Sequence, residues 1–225
     1  MNKLILFDID GTLTEKPIGH IEAHAVAYQK VFGVYGSIFM IDYDGKTDRQ
    51  ITKEVLTKLG FGISKIEAEL PEFLQVMGEY YDSLKPYLKL KLLPGVAETL
   101  EALSNNSDVL LGNVTGNLER IAKAKLEIAN IDRYFEFGGF GNESDERPEL
   151  VKLAVERARA RGFTGDDVYV IGDTPADITA GYAAGAKTIG VATGSYSQEA
   201  LQKAGATITL PDLADRQLLE KALSF

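Results

Sequence analysis

Asp8 and Asp10 follow a short apolar run, Leu4-Ile5-Leu6-Phe7, and are separated by one residue, Ile9. On an extended segment residues two apart point the same way, so both carboxylates can share a site while Ile9 faces the packing. Gly11 then lets the chain change direction sharply. The stretch Gly172-Asp173-Thr174-Pro175-Ala176-Asp177 repeats the arrangement, because the apolar run from Val168 to Ile171 also ends in a glycine and an aspartate. Two acidic strand ends in one sheet make a hard-cation site, and oxygen ligands of this kind suit Mg²⁺, which keeps several waters and is completed by phosphate. Asp177 has a second reading, as a first-turn acid complementing a helix dipole. A third run ends in Asn113-Val114-Thr115-Gly116-Asn117, offering a hydroxyl and a glycine amide at the opening of another helix. Such a terminus suits a phosphate, although Thr115 or Asn117 can equally act as a helix cap.

These residues need a frame that brings three strand ends together. From about residue 92 onward, short β-branched runs alternate with amphipathic stretches, the pattern of βα units around a mainly parallel sheet. Strands are expected at 3–7, 108–114, 135–137, 168–172, 188–192 and 207–210. Helices are expected at 96–103, 118–129, 148–161, 176–184, 198–204 and 213–223. Between the first strand and this series the chain reads as helical, at 21–31, 50–59 and 66–81, with Pro17, Pro86 and Pro94 as hinge punctuation. The expected fold is therefore α/β, a Rossmann-like parallel sheet core with a helical cap inserted after the first strand. The domains follow: 1–14 with 89–225 as the catalytic core, and 15–88 as the cap.

With 45% hydrophobic residues among 225, the chain can bury a full core without staples. The absence of cysteine excludes a disulfide framework, a thiolate zinc site and cysteine-phosphatase chemistry, and points to a reducing, cytoplasmic setting. No run approaches the roughly 20 apolar residues of a membrane-spanning helix. A net charge of −9 opposes binding to nucleic acid and favours small or cationic partners, without forbidding a small anionic substrate, since local groups and a metal dominate inside a pocket.

In this order the motifs resemble the haloacid dehalogenase superfamily of hydrolases, in particular its phosphoglycolate phosphatase-like branch. Asp8-x-Asp10-Gly11-Thr12 looks like the first family motif, Thr115-Gly116-Asn117 the second and Gly172-Asp173-Thr174-x-x-Asp177 the fourth. The third motif is commonly a lysine, whereas Arg147-Pro148 stands in the matching place, with Lys152 as the fallback. The resemblance implies a Mg²⁺-dependent phosphatase in which Asp8 is the nucleophile that becomes phosphorylated and Asp10 is the general acid and base. It further implies that Mg²⁺ is held by the Asp8 and Asp173 carboxylates and the Asp10 carbonyl. Thr115, Gly116 and Arg147 would then bind the phosphoryl group, with Asp177 supporting the shell.

The segment from Asp44 to Arg49 resembles the specificity loop of the cap, so Lys46 and Arg49 are candidates for meeting the substrate's tail. Two rival activities stay open: a phosphomutase of the β-phosphoglucomutase type, and a catalytically silent module that binds phosphorylated metabolites. Gly45-Lys46-Thr47 lacks the first glycine of a phosphate-binding Walker loop, and Asp42-Tyr43-Asp44-Gly45 has its glycine too early for a calcium loop. His20 and His24, four residues apart, are expected on a solvated face of the cap.

Overall fold

The computed structural model describes residues 1–16 and 18–223, so Pro17 lies outside the described residues. Six parallel strands form one sheet: β1 (Lys3–Phe7), β2 (Val109–Thr115), β3 (Gly138–Phe140), β4 (Asp167–Gly172), β5 (Lys187–Val191) and β6 (Ile208–Leu210). Their order across the sheet is β3-β2-β1-β4-β5-β6. The chain thus steps outward from β1 in both directions, and the crevice at the carboxyl ends where it changes direction is where ligands bind in such sheets. Every residue of β1 is buried, as expected of a central parallel strand covered on both faces. In register, Phe7 lies opposite Asn113 on one side and Ile171 on the other, which brings the ends of β1, β2 and β4 level.

Helices α1 (Ile18–Ala27), α2 (Asp48–Lys58) and α3 (Ile63–Leu84) intervene between β1 and β2, α1 being prolonged by a wide π-type turn at Tyr28–Phe32. They are followed by α4 (Val96–Ser104) before β2, α5 (Glu119–Ile128) and α6 (Arg147–Ala160) before β4. The series ends with α7 (Pro175–Ala183), α8 (Gln198–Lys203) and α9 (Arg216–Ala222). Aromatic and aliphatic side chains of the inserted helices, Tyr28, Val55, Phe73 and Met77 among them, form their own apolar cluster. Leu118, just before α5, and Ile121 and Ala124 within it complete the cluster, so an apolar seam, as well as polar contacts, joins the inserted helices to the sheet-bearing part.

Two expected elements are displaced. The third strand is not at 135–137 but at Gly138–Phe140, pairing Gly138 with Asn113 and Phe140 with Thr115. Two glycines conceal the strand because glycine has low β-propensity, yet a Cβ at Gly139 would lie 2.0 Å from the Leu150 carbonyl of α6. The last helix starts at Arg216 rather than at residue 213, because Asp215 caps it by accepting from the Leu218 amide at 3.0 Å.

Candidate active site

Asp8 leaves the central strand with its amide bound to the Ile171 carbonyl at 2.9 Å, so the neighbouring strand fixes the nucleophile candidate's backbone. Its side chain is buried, and Arg147 Nη2 donates to Asp8 Oδ1 at 3.1 Å. The same guanidinium pairs with Asp177, and its Nη1 donates to the Gly45 carbonyl at 3.0 Å, while Nε is buried without a partner. Arg147 is the first residue of α6 and is followed by Pro148, whose missing N–H is harmless in the first turn. Lys152, one turn further on, is 57% exposed and pairs with Glu149, away from the aspartates.

Gly11 turns the chain after the two aspartates at φ +86°, and a Cβ there would lie 2.5 Å from an Asp173 carboxylate oxygen. Asp173 is fully buried; Thr12 Oγ1 donates to Asp173 Oδ1 at 3.2 Å, and Oδ2 has no partner. Asp177 forms a capping box with Thr174 in the first turn of α7, the place its dipole-complementing reading requires. Ligand oxygens of Asp8, Asp173 and Asp177 all lie within 4.8 Å of one another. Burial first, then repulsion from Asp177, pushes the Asp8 carboxyl up to about 7 against the opposing pull of Arg147. Burial and then the Asp8 charge push Asp173 up to about 8. Three buried carboxylates with one guanidinium between them and one orphaned oxygen fit a divalent cation, which would relieve that repulsion.

Thr115 is buried at the end of β2 beside Asp8, and its hydroxyl, after Arg147, opposes the rise of the Asp8 carboxyl without reversing it. Gly116 admits the inserted segment: a Cβ there would lie 2.3 Å from the Lys46 carbonyl oxygen, and the Gly116 carbonyl accepts from the Asp48 amide at 2.8 Å. The amino terminus of α5 is not the open phosphate cradle expected from sequence. Asp48 Oδ2 accepts from the Leu118 amide at 2.6 Å, and Asn142 Oδ1 accepts from Glu119 at 2.8 Å. Neither Thr115 nor Asn117 caps that helix; Asn117 Nδ2 donates instead to Thr115 Oγ1 at 2.7 Å and to Asp10 Oδ2 at 2.9 Å.

Sequence reasoning missed Lys125. Its side chain is wholly buried on α5, and its ammonium contacts Asp10 Oδ2, Asn117 Oδ1 and His20 Nδ1. Burial alone would raise the Asp10 carboxyl, but Lys125 and then His20 hold it below the usual carboxylate range. The expectation of a solvated histidine face is also wrong: His24 is 1% exposed, and both rings converge on Asp48 Oδ1, His20 at 2.9 Å and His24 at 3.1 Å. The one advance signal was spacing, since histidines four apart share a helix face that can point inward as readily as outward.

A cavity of about 140 Å³ opens above these groups, lined by Asp8, Asp10, Thr115 and Arg147 from the sheet-bearing part and by His20, Tyr43 and Lys46 from the insertion. Lys46 lines the cavity with its ammonium paired to Glu54, whereas Arg49 does not line it and pairs with Asp145 at 2.9 Å.

A doubly wound parallel sheet, helices inserted after its first strand and an aspartate cluster at its switch point define an α/β class with its ligand site at the carboxyl edge of the sheet. A family model described as haloacid dehalogenase-like hydrolase matches residues 5–191, and the chain belongs to that family. It is 27% identical over 192 residues to a phosphoglycolate phosphatase from Aquifex aeolicus, covering 83% of each chain. It is also 27% identical over 219 residues to the pyrophosphatase PpaX from Bacillus pumilus, covering 94% of this chain and 93% of the relative. A hydrolase of known structure from Pseudomonas syringae superimposes with a TM-score of 0.72 at 22% identity, over 98% of this chain and 99% of the other. Among the described residues, no helix is long and apolar enough to cross a membrane.

Proposed function

We propose that the chain is a Mg²⁺-dependent phosphatase that hydrolyses small phosphorylated metabolites through an aspartyl-phosphate on Asp8. The observation that carries this reading is the seat of Asp8: a buried carboxylate at the end of the central strand, 3.1 Å from Arg147 Nη2 and two residues before a second carboxylate. Asp8, Asp173 and the Asp10 carbonyl would hold Mg²⁺, with Asp177 behind them, and the cation would neutralise charge on the phosphoryl oxygens. The remaining steps belong to side chains. Asp8 attacks phosphorus as the bond to the leaving oxygen breaks, and Asp10 protonates that oxygen. Asp10 then takes a proton from the water whose oxygen displaces Asp8 from phosphorus, returning the free carboxylate. Thr115, Gly116 and Arg147 would orient the phosphoryl group, the guanidinium matching its developing charge.

On this reading residues 1–14 and 89–225 form the catalytic body, and 15–88 a cap that excludes water from the cavity. The cysteine-free sequence supports a reducing, cytoplasmic setting. The names of the relatives make phosphoglycolate the first ester to test, with Lys46, on the cavity wall, as the cap residue facing the substrate's tail and Arg49 as a more distant candidate. A panel of phosphate esters assayed for phosphate release with Mg²⁺ tests the proposal. Wild type should release phosphate from at least one ester. Asp8→Asn should retain less than about one per cent of that rate, because loss of a nucleophile removes several kcal/mol of barrier lowering. Phosphate release by Asp8→Asn near the wild-type rate would exclude covalent catalysis at this residue.

A further inference from the structure

We propose that Lys125 is a positioning residue that selects the working oxygen of Asp10, an inference that rests on the reading of Asp10 as the general acid and base. An ammonium has three donors and no acceptor. Here all three find acceptors, Asp10 Oδ2, Asn117 Oδ1 at 2.7 Å and His20 Nδ1 at 3.2 Å, on a side chain with no exposed surface. Asn117 Nδ2 donates to the same Asp10 oxygen at 2.9 Å. Oδ2 is therefore held by two donors from the β2-to-α5 segment, while Oδ1 is buried and has no partner at all.

The two oxygens of a free carboxylate are equivalent and exchange by rotation about one bond. A fixed cation and an amide on one of them break that equivalence, because a proton on Oδ2 would meet two donors, whereas a proton on Oδ1 meets none. The proton that passes to the leaving oxygen therefore departs from Oδ1. In the second step it returns to Oδ1 from the attacking water, as that water's oxygen bonds to phosphorus and the Asp8–phosphorus bond breaks. Lys125 does not line the cavity; it acts by tying down Oδ2 and so keeping Asp10, which does line it, in one rotamer with Oδ1 as the oxygen left to exchange a proton.

Asn117 alone would hold Asp10 less firmly, and the loss should fall on chemistry that needs a proton delivered. A p-nitrophenolate leaves without protonation, but an alkoxide does not. The experiment measures the rate of Asp8 phosphorylation by rapid mixing of Mg²⁺-loaded full-length protein. Its two probes are p-nitrophenyl phosphate and whichever alkyl phosphate wild type dephosphorylates fastest in the panel. In Lys125→Met the ratio of alkyl to aryl rates should fall by about 30-fold or more, a size typical of a displaced general acid. His20→Ala, which removes one of the ammonium's acceptors, should lower the ratio in the same direction by a smaller factor.

An equal proportional loss on both esters in a folded Lys125→Met would overturn the proposal, since damage to packing or to phosphate binding lowers both rates together. If Lys125→Met does not fold, His20→Ala decides alone: a lowered ratio supports the assignment and an unchanged one overturns it. Asp10→Asn is the control. An unchanged ratio in that variant would remove the acid role of Asp10 itself, whereas a collapsed ratio beside a normal Lys125→Met would remove only the role of Lys125.

Discussion

The guanidinium of Arg147 sits between Asp8 and Asp177, donating through one nitrogen to Asp8 Oδ1 at 3.1 Å and to the Asp177 carboxylate. One buried cation thus answers two carboxylates, one at the end of β1 and one in the first turn of α7, and its fork also reaches the Gly45 carbonyl of the inserted segment at 3.0 Å. A planar fork can serve three directions at once; a lysine at the same place is a single charge on a different reach.

That geometry sets the first expectation. Arg147→Ala should lower phosphate release by about a hundredfold, the loss of one charge-assisted contact to a transition state, and Arg147→Lys should be impaired to a smaller degree. Lys152→Ala should stay within about twofold of wild type, because exposed ion pairs contribute little. The comparison needs folding checked by circular dichroism, since Arg147→Ala leaves two buried carboxylates without a cation. Near-normal turnover in Arg147→Ala with collapse in Lys152→Ala would reverse the assignment.

A second expectation concerns metal removal and pH. Asp8 and Asp173 are raised to about 7 and about 8, above the values near 4 that they have in an unfolded chain. Without metal the folded protein therefore keeps protons that the unfolded chain has already released. The stability these groups contribute is full below about pH 4 and is lost as pH rises toward their folded values. His24 opposes this below its ordinary range, because burial lowers it and the neutral ring is favoured as pH rises. In the presence of a chelator, melting temperature should fall by several degrees more between about pH 5 and about pH 8 in wild type than in Asp173→Asn, where one of the coupled carboxyls is gone. Added Mg²⁺ should raise the wild-type melting temperature more at the higher pH, because it binds the ionised form. An equal metal-induced gain at both pH values would contradict the role of these carboxylates as ligands.

A third expectation comes from Gly194, where a Cβ would lie 1.7 Å from Asp173 Oδ2, the buried oxygen without a partner. Gly194→Ala must displace either the exposed loop or the carboxylate. If the carboxylate moves, the Mg²⁺ concentration for half-maximal activity should rise by about tenfold, in the range seen when metal-site surroundings are disturbed. Melting temperature with a chelator present should change by no more than a few degrees. An unchanged Mg²⁺ requirement would mean that the loop gives way and that Gly194 has no part in shaping the metal site.

Position in the fold was legible in the sequence where local pattern and tertiary position coincide. Asp8, Asp10 and Asp173 each follow a run of apolar residues long enough to be a buried strand, and a parallel sheet gathers strand ends along one edge. Arg147 was legible through Pro148, which marks a first helical turn at the same edge. What escaped was set by contacts between distant segments. Lys125 occupies an unremarkable place on an amphipathic helix, and only the fold brings it to Asp10. His20 and His24 read as surface residues because the carboxylate that draws them inward, Asp48, arrives from another helix. The strand Gly138–Phe140 was hidden because its glycines are required by close approach of α6 and not by strand propensity.

The last expectation follows from Asp48, which ties the insertion to α5. Lys125 can only donate to His20 Nδ1, so the proton of that ring lies on Nε2 and points at Asp48. His24 likewise presents Nε2 to the same oxygen, while its Nδ1 is buried without a partner. With the Leu118 amide on Oδ2, one buried carboxylate accepts from three donors, two on α1 and one on the residue that precedes α5. Burial alone would raise its carboxyl, but the facing histidines hold it far below the ordinary carboxylate range. Its contribution to stability is therefore present above about pH 4 and is lost only as pH falls toward the depressed value. Asp48→Asn keeps the shape but turns an amide N–H₂ toward donors, leaving at least one of them without an acceptor. It should lower unfolding free energy by about 3 kcal/mol near neutral pH, as breaking a buried charged hydrogen-bond cluster does. Urea unfolding at about pH 7 and about pH 3 measures it, and the gap between variant and wild type should narrow at the lower pH, where the unfolded chain's carboxylate takes up a proton that the native one still refuses. A gap below about 0.5 kcal/mol at neutral pH, the ordinary range for a surface substitution, would show that the histidine and amide contacts to Asp48 do not hold the insertion onto α5.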